Sequence, residues 1–121
     1  MKEKDFSITF NHWLKAKHRQ TGAFELKLAR GVSLPYSAVV PHQIEALLNA
    51  KHGVLVHKIV DCGYQNPFDT YCLSGVSAYV VIKFSGGIYL IDIDDFVRTR
   101  DSSSRKSITE DEANLICAIK I

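Results

Sequence analysis

A chain of 121 residues holds one domain, 1–121, and hardly two; at that length about two thirds of the unfolded surface can be buried without disulfide or metal staples. Its 46% hydrophobic and 23% charged residues are ordinary for a soluble globular protein, and a net charge of +2 is too small to argue nucleic-acid binding except through local clustering. Cys62, Cys72 and Cys117 are odd in number and fit no zinc spacing, no apolar run reaches the ~18 residues of a membrane span, and the first five residues lack the apolar core of a signal peptide, so a reduced, cytoplasmic protein is expected.

The first element is a helix that Asp5 or Ser7 can cap and that runs to about Lys17. Phe6, Phe10, Trp13 and Leu14 form its apolar stripe. Lys15, Lys17, His18 and Arg19 end it with positive charge, which either complements the helix dipole or faces phosphate. Ala23-Phe24-Glu25-Leu26-Lys27-Leu28 then alternates with period two. Phe24, Leu26 and Leu28 share one face; Glu25 and Lys27 share the other, about 7 Å apart along the strand. A carboxylate and an ammonium so placed read either as the solvated face of an edge strand or as the Glu-x-Lys half of a metal-dependent nuclease site.

Arg30 to Val40 is a loop containing Gly31 and Pro35. Pro41 suits the first turn of a second helix, with His42 and Gln43 beside it, Ile44, Leu47 and Leu48 as its apolar face, and Gly53 as its stop. Val54 to Val60 reads as a strand, residues 61–67 as a turn, and Phe68 to Leu73 as an alternating strand with Asp69, Tyr71 and Leu73 on one face. Ala78 to Phe84 and Ile88 to Ile93 form a hairpin about Ser85-Gly86-Gly87. Asp94 to Val97 is a helical turn, and Arg98 to Ser107 is expected to be polar, basic and mobile. Thr109 with Glu112 makes a capping box for a last helix through about Cys117. The fold class is α+β: a central mixed sheet of about five strands flanked by two or three helices.

Metal-assisted phosphodiester cleavage needs hard oxygen ligands from separate elements and profits from a nearby lysine that positions water or balances charge. Glu25 therefore needs a carboxylate partner from elsewhere. Phe24-Glu25-Leu26-Lys27, the loop GVSLPYSAV, the helix opening His42-Gln43-Ile44-Glu45, and Gly53 before an apolar strand together resemble the RecU-type Holliday-junction resolvases of the PD-(D/E)xK nuclease superfamily. The resemblance spans about Ala23 to Ile59. It implies a restriction-endonuclease-like fold, Glu25 as a ligand of Mg²⁺ or Mn²⁺, Lys27 as the catalytic lysine, and Gln43 as a residue that supports the site or touches phosphate.

The superfamily places an Asp on the strand before Glu-x-Lys, and no strand fits between the first helix and Ala23. Asp69, in Asn66-Pro67-Phe68-Asp69, is the candidate replacement, which requires the Phe68 strand to lie beside the Glu25 strand. In a second frame, Val81 stands where an acid is needed before Lys83, so Lys83 is read as a rim residue. Asp92, Asp94 and Asp95 lack the Gly and terminal Glu of a calcium loop and read as a solvated helix start. Glu3 and Asp5 could reach a site built on the first helix.

The functional expectation is a Mg²⁺- or Mn²⁺-dependent endonuclease of branched DNA, acting as a homodimer. Lys15, Lys17, Arg19, Arg98, Arg100, Arg105 and Lys106 would contact backbone phosphates. The alternative, motivated by the displaced Asp, is a non-catalytic nucleic-acid-binding or assembly module on a nuclease-like fold.

Overall fold

Residues 78–84 and 88–91 carry apolar side chains on both faces, and such strands are stable only where both faces are covered. In the computed structural model, which describes residues 2–17, 22–58 and 70–121, these stretches take the middle of a sheet. β5 (Ser77–Phe84) and β6 (Gly87–Asp92) form the expected hairpin, with Gly87 at φ +156° starting the return strand. β1 (Gly22–Leu28) runs parallel to β5 along one edge, and β8 (Ile119–Lys120) runs antiparallel to β6 along the other. The sheet order is β1-β5-β6-β8.

One sheet face is covered by α1 (Glu3–Lys17). Its Phe6 and Phe10 bury against Val81, Ile88 and Leu90, with Phe24 and Leu26 of β1 at the margin. The other face is covered by α2 (Pro41–His52), α3 (Ile93–Ser102) and α4 (Glu110–Ile116). There Ile44, Leu47, Ile93, Phe96 and Ala113 close over Ala78, Val80, Ile82 and Phe84. Burying each such large apolar side chain contributes roughly 2 kcal/mol. No helix among the described residues is long and apolar enough to cross a membrane.

The helix ends follow their sequence signals. Pro41 opens α2, and Gln43 Oε1 accepts a hydrogen bond from the Val40 N–H at 3.1 Å; Val40 has no side-chain acceptor to return it. Gly53 ends the helix, its N–H donating to the Asn49 carbonyl. Thr109 Oγ1 accepts from the Glu112 N–H at 3.2 Å and donates to Glu112 Oε1 at 3.1 Å, so the Glu112 carboxylate meets the Thr109 hydroxyl rather than its N–H. Tyr89 donates its phenolic hydrogen to Glu110 Oε2 at 2.7 Å, and that bond pushes its pKa up to about 12. The same Glu110 carboxylate lies over Gly86, where a Cβ would displace it.

Three expectations are corrected. The central sheet has four strands among the described residues rather than about five, and four α-helices accompany it rather than two or three. The described part of the Phe68 strand, β4 (Thr70–Leu73), pairs antiparallel with β3 (Leu55–Lys58) in a separate ribbon, and the neighbour of β1 is β5. The doubly apolar β5 needs an interior place, whereas Thr70–Leu73 with its polar alternation can sit at the periphery. The third correction concerns residues 98–107. Asp92 caps α3 by accepting from the Asp94 N–H, Ile93 and Phe96 anchor its first turn, and the helix continues through Arg98 and Arg100 to Ser102. The chain then enters β7 (Ser107–Thr109), which pairs antiparallel with β2 (Ser33–Pro35).

Candidate functional site

β1 is an edge strand, and its alternation sorts its side chains. Phe24 and Leu26 turn toward α1, where the Phe24 ring meets Phe10 edge-on at 5.2 Å and stacks on Tyr79 at 5.9 Å. Ala23 and Ala29 turn to the face that α2 covers. Glu25 and Lys27 share that second face by the same alternation, in register with the buried Val80 and Ile82. The two charges lie at the sheet margin, with side-chain exposures of 27% and 18%, and Lys27 Nζ is 3.4 Å from Glu25 Oε1. The sheet therefore holds a carboxylate and an ammonium together, each still open to solvent.

Glu25 lines a cavity of about 550 Å³ with His42 and Gln43 from the first turn of α2, Ser7 and Asn11 from α1, and Leu55 and Leu73 from the β3–β4 ribbon. The positive end of the α2 dipole thus borders the Glu25 carboxylate. Lys27 lines the adjoining cavity of about 630 Å³, with Lys2 and Glu3 at the start of α1 and Arg30 after β1. The structure brings Glu25, Lys27 and Gln43 to one edge of the sheet. Gln43 already spends its Oε1 on the α2 cap. Asp69 lies outside the described residues.

His42 was placed in the sequence but given no role there; its adjacency to Gln43 in a first turn is the signal for its share of the cavity. Glu3 lines the Lys27 cavity, whereas Asp5, also exposed, lines neither it nor the Glu25 cavity. Lys83 is in register with Leu28, so it projects to the face opposite Lys27, and its Nζ donates to the Phe84 carbonyl at 2.8 Å. Lys27 is the lysine on the Glu25 side.

The expected phosphate contacts divide differently. Arg98 pairs with Asp95, Arg100 Nε sits 3.0 Å from Asp101 Oδ1, and Arg105 is 3.8 Å from Glu112 Oε1. Lys106 is exposed. Lys15 and Lys17 fall on α1, but their side chains and all of Arg19 lie outside the described parts. Cys72 and Cys117 are free thiols, and Cys62 is outside the described residues.

The acidic group after β6 holds an ammonium. Lys51 Nζ, in the last turn of α2, is 2.8 and 2.9 Å from the Asp92 oxygens and 2.6 Å from Asp94 Oδ2, and His52 Nε2 is 2.8 Å from the same Asp94 oxygen. The hydrogen bonds that Lys51 donates to Asp92 and then to Asp94 hold its pKa above the ordinary 10.5; the bond from Lys51 holds Asp94 below its ordinary 3.8. The Asp94 contribution to stability is thus complete above pH 3.8 and lost as pH falls through its lowered folded value. The Lys51 contribution is complete below pH 10.5 and lost as pH rises through its raised one. Lys51→Met should lower stability by about 1 kcal/mol at neutral pH, since the cluster is partly exposed. Urea midpoints measured across pH should show wild type and variant converging at both extremes; a constant offset would mean that the lysine acts through packing alone.

Compared with known proteins, the chain matches no family model, no curated protein and no solved structure.

Proposed function

We propose that the protein is a divalent-metal-dependent endonuclease of branched or structured DNA, built on a restriction-endonuclease-like framework of the kind used by RecU-type Holliday-junction resolvases. The observation that supports this reading is convergence at one sheet edge: Glu25 shares a cavity with Gln43 and the start of α2, and Lys27 stands 3.4 Å from Glu25.

Mg²⁺ takes one or two protein carboxylates and leaves its other positions to waters and phosphate oxygens. Glu25, at the sheet margin and 27% exposed, would supply one hard oxygen ligand. A second carboxylate from Asp69 would need its strand beside β1, a place that β5 takes. A bound Mg²⁺ or Mn²⁺ would polarise the phosphate and acidify a water.

The chain's own residues do the rest. The Lys27 ammonium balances negative charge as water oxygen bonds to phosphorus and the phosphorus–oxygen ester bond breaks, the attacking water giving its proton to solvent and the leaving alkoxide taking one from solvent. Gln43, with its Oε1 held by the Val40 N–H, retains its amide hydrogens for a phosphate oxygen. Two opposed cuts at a four-way junction need two such sites in fixed relation, which a two-fold homodimer supplies.

The competing reading is a non-catalytic nucleic-acid-binding module, and one observation favours it: Glu25 is paired to Lys27 and Gln43 caps a helix, so both have structural employment. Titrating Mg²⁺ and Mn²⁺ against a labelled synthetic junction separates the two. Cleavage by wild type and its loss in Glu25→Gln support the nuclease. Tight binding with an intact junction at every metal concentration supports the module.

A further inference from the structure

Two cavities, of about 630 and 430 Å³, meet at the C-terminal end of β1 and share Leu28, Ala29 and Arg30 as a common wall. Lys2, Lys27 and Arg30 line the first cavity with the carboxylate of Glu3, Lys27 being paired to Glu25 at 3.4 Å, and Lys83, on the opposite sheet face, lines the second together with Arg30. The floor is apolar, with Leu34 and Ala38 on one side of the wall and Val32 and Phe84 on the other. Among the described residues neither Lys2 nor Arg30 forms an ion pair, and both are exposed.

The opposite balance holds in the groove beside the serine run, where Arg105 meets Glu110, Asp111 and Glu112. A polyanion is drawn to the first surface and repelled by the second, because uncompensated cations release counterions on binding phosphate and compensated ones do not.

We propose that this trough at the end of β1, rather than the arginines of α3 and the serine run, seats the phosphodiester backbone of a nucleic acid. Charge and shape carry the location; the choice of nucleic acid among polyanions rests on the nuclease reading. An apolar floor under a cationic rim suits sugars below and phosphates at the edge. Lys27 lines the trough and lies against Glu25, so a backbone seated there is delivered to the edge where cleavage is proposed. The contacts address phosphate and carry no base sequence information.

The test is binding of a labelled four-way junction and a matched duplex by fluorescence anisotropy, in EDTA, over a salt series. Arg30→Gln and Lys2→Gln are each expected to reduce the slope of log affinity against log salt by about 1. Over the step from about 0.05 to about 0.2 M salt, each variant then loses about three- to fourfold less affinity than wild type. Arg98→Gln and Arg105→Gln should move the slope less. Wild-type slopes for the Arg30 and Lys2 variants, a larger effect at Arg98 or Arg105, or no binding by wild type would each overturn the proposal. With metal withheld, the two readings fail separately: a reduced slope in Arg30→Gln together with no cleavage in Mg²⁺ keeps the trough and removes only the nuclease.

Discussion

Glu25→Gln binds a four-way junction at least as tightly as wild type and cuts it about 10²–10³-fold more slowly in a single-turnover assay with saturating metal. The two parts have different causes. Glutamine keeps the shape of the side chain at the margin of β1 and removes one negative charge beside a cationic trough, so attraction to phosphate is unchanged or stronger. It also replaces the hard anionic ligand with a neutral amide, which holds a divalent cation poorly. Lys27→Ala should lose cleavage on a similar scale, and binding modestly as well, since it removes a cation from the trough. Equal cutting rates for wild type, Glu25→Gln and Lys27→Ala would end the assignment of this edge as a catalytic site.

Phe10→Ala lowers stability by about 3–4 kcal/mol and the melting temperature by about 10 °C. Phe10 is fully buried, and its ring stacks on Trp13 at 5.8 Å and meets Phe24 edge-on at 5.2 Å. With Phe6 it fastens α1 to its sheet face, opposite three helices on the other. Truncation leaves a void that neither the strands nor a helix held by two phenylalanines can fill. The same helix contributes Ser7 and Asn11 to the Glu25 cavity and Glu3 to the Lys27 cavity, so a melt measured beside a binding titration should show both weakened. A change under 1 kcal/mol in urea unfolding would mean that α1 contributes little to the fold.

Local rules made most of the elements legible. The alternation of β1, the glycines of the β5–β6 turn, Pro41 and Gly53 about α2, and Thr109 with Glu112 at α4 each act within a few residues, and each appears where expected. What is missing from such rules is the identity of spatial neighbours. β1 pairs with β5 because β5 must be covered on both sides, a demand that no residue near Glu25 expresses. The second half of α3, beyond the helical turn expected at Asp94 to Val97, is not legible because its burial is concentrated at Ile93 and Phe96, while the polar remainder resembles a mobile tail. The charge reading met a related obstacle. Arg98, Arg100 and Arg105 count as cations in a sequence, and only the fold reveals Asp95, Asp101 and Glu112 beside them. The alternation of β1 is enough to put Glu25 and Lys27 on one face, whereas Arg30 and Lys2 gain meaning only from the cavity they share.

The short β2–β7 ribbon fastens two remote stretches into one mechanical part. Leu34 sits opposite Ile108, the Tyr36 N–H reaches the Lys106 carbonyl, and the Glu110 N–H reaches the Val32 carbonyl, so the fastening is closed at both ends. Neither strand has a second partner among the described residues. A pull on Arg30 is therefore transmitted to the starts of two helices, at Pro41 and at Glu110.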